Sequence, residues 1–219
     1  IACLDASKNC DFINNKSERC TLIRTNDGSG HTIDGNIMNT SPGTGIEIYL
    51  GTHHEITNNE LNEQWVDASS IGCSSDYTLV SGNRINQSNA IGITMGHPDR
   101  QDEGYPPFGA NYCVVENNYI KGGPVTFEGG TPAGAILTGG AGIGLNGRGV
   151  RILNNKIVDL YVDAAYRRDS AAIKVGAGSD DDQTRFDDLI ISGNTITNAT
   201  VGIELRDHIN VEVSSNYIQ

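Results

Sequence analysis

The chain is short of the features that mark several common classes of protein. Lysine and arginine number 15 against 27 acidic residues, giving a net charge of −12. It therefore lacks the basic surplus that nucleic-acid or anionic-membrane binding needs. No apolar run approaches the ~20 residues of a membrane helix, and no stretch reads as a signal peptide. Aromatic residues make up only 6%. A 3.6-residue apolar period never appears, which argues against helical repeats, and neither a leucine consensus nor a calcium-binding nonapeptide recurs. Five cysteines are an odd number, so at least one is free or pairs with another chain.

What the chain has in excess is glycine, 27 of 219 residues, roughly 12% against about 7% in average usage, together with one recurrent asparagine. That asparagine stands at Asn15, Asn36, Asn59, Asn83, Asn118, Asn155, Asn194 and Asn216. An apolar residue lies three positions before each, from Phe12 and Ile33 to Ile191 and Val213. Two positions after come Ser17, Met38, Leu61, Ile85, Ile120, Ile157, Ile196 and Ile218. The gaps are 21, 23, 24, 35, 37, 39 and 22 residues, a period near 22 interrupted by three stretched repeats. Internal repetition decides the architecture before any other signal.

Positions −5 and −3 share parity and are mostly apolar, the period of two that marks a strand. Gly35, Gly82, Gly193, Asn58, Asn117 and Asn154 precede ladder asparagines, as turn chemistry requires. An upstream strand reads as apolar-x-apolar at Ile46-Glu47-Ile48, Ile71-Gly72-Cys73, Ile93-Thr94-Met95, Ile143-Gly144-Leu145, Ile173-Lys174-Val175 and Ile203-Glu204-Leu205. Ala2-Cys3-Leu4 fits loosely, and the copy between Cys20 and Arg24 is ambiguous. Three short strands per ~22-residue turn, each stacked on its counterpart about 4.8 Å away, predict an all-β fold. It is a single-stranded right-handed parallel β-helix, a solenoid of about eight rungs with an asparagine ladder. One domain spans 1–219. Its ends carry no polar cap, so a segment of a longer chain is expected.

This repeat resembles that of the pectin-lyase-like superfamily, which includes polysaccharide lyases, glycosidases, uronan epimerases and phage tailspikes. The resemblance covers essentially the whole chain and bears on fold more than on activity. It implies a carbohydrate groove on the outward face of one sheet.

Extra residues in a solenoid become loops on a face. They fall at about 96–111, 121–141, 158–170 and 176–188, on both sides of the strands carrying Thr94, Gly144 and Lys174. The outward positions Glu47, Gly72, Thr94, Gly144, Lys174 and Glu204 should therefore floor a trough, with small residues at its centre. Lys174 is a candidate base for proton abstraction in an enclosed groove, or simply an ion-pair partner of Glu204 one rung away. Arg167 and Arg168 can clamp a ligand carboxylate or be solvated loop charges. His97 is a candidate acid or base, or a loop-ordering histidine. Thr94, Asp99, Arg100, Glu128, Asp163, Tyr166 and Glu204 are candidate substrate contacts. Hydrolysis would need a carboxylate pair at a set spacing, which no two acids here single out. The Asn-Thr-Asp, paired-Asp and Gly-His-Gly motifs of the pectin-hydrolysing branch are absent as a set, as is the Asp-Pro-His of uronan epimerases.

Asp180-Asp181-Asp182 can contribute to a Ca²⁺ site or be a solvated loop; no other cofactor or metal is indicated. His31 and His54 share the inward −5 position and should stack inside the coil. Cys10, Cys73 and Cys113 read as inward apolar cysteines, and a disulfide among Cys3, Cys10 and Cys20 stays open. Four N-x-S/T sequons are near chance in so asparagine-rich a chain. The expected function is cleavage of an acidic, uronate-containing polysaccharide, β-elimination slightly ahead of hydrolysis, by a secreted or virion-associated enzyme. The alternative is a non-catalytic glycan-binding, tailspike or adhesin β-helix, a homotrimer if a tailspike. Neither nucleic acid nor membrane insertion is expected.

Overall fold

A computed structural model describes residues 1–20, 23–41, 44–64, 69–88, 91–96, 110–122, 141–145, 148–160, 171–175, 186–199, 201–205 and 208–219. Among these residues every regular element is a strand. The first turn of chain supplies Ala2–Lys8, Asp11–Ile13 and Lys16–Glu18 to three different sheets. Each later turn adds one strand to each, giving three eight-stranded sheets in which all pairings are parallel. This connectivity fits a parallel β-helix-like solenoid.

Alternation sorts the side chains. In each central second-sheet strand the middle residue, such as Ile33, Ile56, Val80, Val115 or Ile152, is buried. Its neighbours face out, because successive side chains of a strand point to opposite faces. Third-sheet residues Met38, Leu61, Ile85, Ile120, Ile157 and Ile196 close the core from the other side. Their bulk explains the small residue ahead of each first-sheet triplet. A Cβ at Gly45 would lie 2.7 Å from Leu61 Cδ2 and 2.8 Å from the Ser70 carbonyl.

The ladder asparagines turn inward between the second and third sheets and are buried from Asn36 to Asn194. Asn59 shows the logic. Its Oδ1 accepts both the backbone N–H (3.0 Å) and the Nδ2 (2.9 Å) of Asn36. Its own Nδ2 donates to Asn83 Oδ1 and to the Ile33 carbonyl, each at 2.9 Å. Buried polar groups demand this kind of satisfaction. The same bonds join Asn83 to Asn118, Asn118 to Asn155 and Asn155 to Asn194, so the long insertions leave the register undisturbed.

The residue before the ladder asparagine makes the bend. Asn58, Asn117 and Asn154 have φ of 54–56° and Gly82 has 68°, the left-handed region that asparagine and glycine tolerate best. At Gly82 glycine is needed twice over, since a Cβ there would lie 2.8 Å from Asn58 Oδ1.

A second internal ladder lines the corner between first and second sheets. Cys10 N–H donates to His31 Nδ1 (3.2 Å), His31 N–H to His54 Nδ1 (3.3 Å), and Thr78 N–H to Cys113 Sγ (3.3 Å). His31 and His54 stack as the parity predicts. Cys73 and Cys113 are buried and Cys10 packs against the core. Cys20 is a free thiol, which removes it from the disulfide that the sequence left open. Register also corrects the first triplet: Ala2 aligns with Arg24 and Cys3 with Thr25, so Ala2 rather than Cys3 is the register partner of the Arg24 position. The ambiguous copy is Ile23-Arg24-Thr25, with Ile23 and Thr25 buried and Arg24 exposed.

Candidate functional site

The outward residues predicted for the first sheet form one unbroken column. Arg24 pairs in register with Glu47, Glu47 with Gly72, Gly72 with Thr94, Thr94 with Gly144, Gly144 with Lys174, and Lys174 with Glu204. Strands in a sheet are about 4.8 Å apart, so Glu47 and Lys174 stand about 19 Å from one another along the column. They can meet the same extended ligand but not the same reacting atom. Lys174 and Glu204 are neighbours and both half-buried.

At the upstream end the column carries a charged cluster. Arg24 Nε lies 3.1 Å from Glu47 Oε2, and its guanidinium sits over the Tyr49 ring at 5.2 Å. The Tyr49 hydroxyl donates to Glu47 Oε1. Glu47 is thus held from two sides, by an arginine and a phenol on the same sheet face. Further along, the hydroxyls of Ser69 and Thr94 hydrogen-bond to each other. Between these groups Gly72 presents no side chain, and a Cβ there would meet only Thr44 Cγ2 at 3.3 Å and Ser69 Cβ at 4.0 Å. The face is therefore low at Gly72, with polar groups on either side.

The four long segments attach at the edges of this sheet. One follows the strand Ile91–Met95, two precede the strands Ala141–Leu145 and Ala171–Val175, and one follows Ala171–Val175. His97, Asp99, Arg100, Glu128, Asp163, Tyr166, Arg167 and Arg168, and the triplet Asp180 to Asp182, lie outside the described residues. Of the expected site residues the structure places Thr94, Lys174 and Glu204, and it brings all three into one column. The sequence reading passed over Arg24, Tyr49 and Ser69. Alternation gave a signal for one of them, because Tyr49 keeps the outward parity of Glu47; Ser69, three positions before Gly72, does not keep it.

A scan against protein-family models finds no match, and a search of curated proteins finds no relative. The described structure defines an all-β protein of stacked parallel sheets with a polar column along one of them.

Proposed function

We propose that the outward face of the first sheet binds and cleaves an acidic, uronate-containing polysaccharide. In this reading the chain is a right-handed parallel β-helix of the pectin-lyase-like kind, secreted or virion-associated. The observation that carries it is the column itself. Six consecutive in-register positions run from Glu47 to Glu204, glycines leave the middle open, and long segments attach on both sides. An extended polymer lying along the coil axis fits that layout.

Elimination is the favoured chemistry because the column offers an amine, Lys174, and, among the described residues, no two carboxylates on neighbouring strands. Lys174 takes the proton from the ring carbon next to the uronate carboxylate. The electron pair forms a carbon–carbon double bond, and the glycosidic C–O bond breaks, its oxygen leaving with a proton from water. Arg167 and Arg168, on the segment preceding Ala171, would neutralise the carboxylate and so favour the carbanion-like transition state. Arg24, Glu47 and Tyr49 would bind sugars several residues away.

Binding without cleavage is the second reading, favoured by the in-register placement of Lys174 beside Glu204, where an ion pair would occupy the amine. A tailspike or adhesin arm of this kind would form a stable trimer by light scattering. Incubation with uronate polymers separates the two, since only elimination generates an ultraviolet-absorbing unsaturated product.

A further inference from the structure

We propose that the outward face of the third sheet, around Tyr119, is a second binding surface for a carboxylate-bearing glycan chain. It shares with the groove reading only the class of polymer.

Arg84, Tyr119 and Lys156 are consecutive in one outward column. The Arg84 guanidinium lies over the Tyr119 ring at 4.5 Å, and Lys156 Nζ approaches the same ring at 5.9 Å. Two cations thus bracket one aromatic ring, each attracted by its electron-rich face. Lys121 follows on the same strand and face, about 7 Å from Tyr119. All three cations are exposed and Tyr119 is half-buried. Among the described residues neither Arg84 nor Lys156 makes an ion pair, and Lys121 meets Asp159 at 3.8 Å with both side chains nearly half exposed. A pair that exposed contributes little and yields easily to a ligand. In a chain of net charge −12, three cations held on one face are a local inversion of the field.

The geometry selects the ligand. Stacking on Tyr119 fixes the plane of the Arg84 guanidinium while its in-plane N–H donors stay open, the arrangement that grips a carboxylate with two parallel bonds. Arg84 and Lys156 stand two strands apart, about 10 Å, so a polymer with carboxylates spaced along the coil axis can meet both. Beside them runs a row of amides, Asn86 Nδ2 donating to Asn62 Oδ1 (2.7 Å) and Asn62 Nδ2 to Asn39 Oδ1 (3.0 Å), suited to sugar hydroxyls. Single-stranded nucleic acid would instead use open aromatic faces for base stacking, and both faces of Tyr119 are taken. Glu60, in register with Arg84, bounds the strip on one side and Asp159 on the other.

The test is lysine footprinting of the full chain by acetylation and mass spectrometry, with a galacturonate oligomer as probe. Lys121 and Lys156 should be protected several-fold, protection should fade as salt is raised, and Arg84→Gln should abolish it at an unchanged melting temperature. Arg84→Lys, which keeps the charge without the fork, should retain part. Unprotected Lys121 and Lys156 would overturn the proposal. So would equal protection by a neutral glucan, or equal protection by single-stranded DNA, lost in the same variant. Protection of Lys174 in the same spectra reports on the first-sheet groove, so the two readings fail separately.

Discussion

The imidazole of His54 lies face to face on that of His31 inside the coil, ring centroids 4.9 Å apart and planes inclined by 19°. Each Nδ1 accepts a backbone N–H, which places the proton of the neutral ring on Nε2. Both Nε2 atoms are buried without a hydrogen-bond partner among the described residues. Burial lowers the pKa of His31, and burial together with the charge of His31 lowers that of His54 to about 4, the nearby Leu50 carbonyl opposing only in part.

Acid should therefore weaken the fold in a defined window. Between the ordinary 6.5 and about 4 the unfolded chain binds a proton that folded His54 refuses, so stability rises with pH across that interval and is complete above it. The loss from His54 between pH 7.5 and 4.5 is about 2–3 kcal/mol, read from urea midpoints. His54→Gln, whose amide oxygen can accept the His31 N–H, should flatten that slope; an unchanged slope would place the effect elsewhere. Asp34 acts lower. Hydrogen bonds from Thr57 and Asn58 depress its carboxyl below 3.8, so its contribution is present above that value and disappears beneath it.

Asn59→Ala should strand the Asn36 N–H and one Asn36 amide hydrogen in the core. At about 1–3 kcal/mol for each buried group left unsatisfied, the protein should lose several kcal/mol in a denaturant titration. Asn62→Ala removes superficially similar amide bonds from the solvent face and should cost at most about 0.5 kcal/mol. Equal costs would refute the view that burial gives the internal ladder its weight.

Asn154 tests the turn. With φ at 54°, Asn154→Gly should shift stability by only a few tenths of a kcal/mol, whereas Asn154→Val should cost about 1–2 kcal/mol. The same pair of substitutions at Asn155, the ladder residue beside it, should both be severe. Thermal melts of the four variants decide it.

Cysteine reactivity should divide by position. Burial raises the thiol pKa of Cys73 and of Cys113, while Cys20 is exposed. Iodoacetamide on the native protein should label Cys20 and reach Cys73 and Cys113 only after unfolding, as peptide masses would show.

Much of this architecture could be read from the chain because one residue type repeats with its apolar neighbours at fixed offsets. The inward seats of Ile33, Ile56 and Val80 and the outward column from Glu47 to Glu204 follow from parity alone. The repeat puts Asn155 in the ladder but could not say which of the pair Asn154-Asn155 takes the left-handed bend, since both suit a turn; the backbone assigns the bend to Asn154. Nor could it find the Arg24–Glu47–Tyr49 cluster, because that contact depends on cross-strand register at a triplet whose second inward seat is the polar Thr25. The expected groove residues on the long segments have no periodic neighbours to fix them, and only Thr94, Lys174 and Glu204, which sit on strands, are placed.

The proposal of uronan cleavage on the first sheet is met most directly by one assay: ultraviolet absorbance during incubation with uronate polymers, for the parent protein and for Lys174→Ala. The account predicts a steady rise for the parent and a loss of at least about a hundredfold in Lys174→Ala, the scale of removing a general base, with its melting temperature unchanged. No rise with any uronate polymer, or a Lys174→Ala protein as active as the parent, would contradict it.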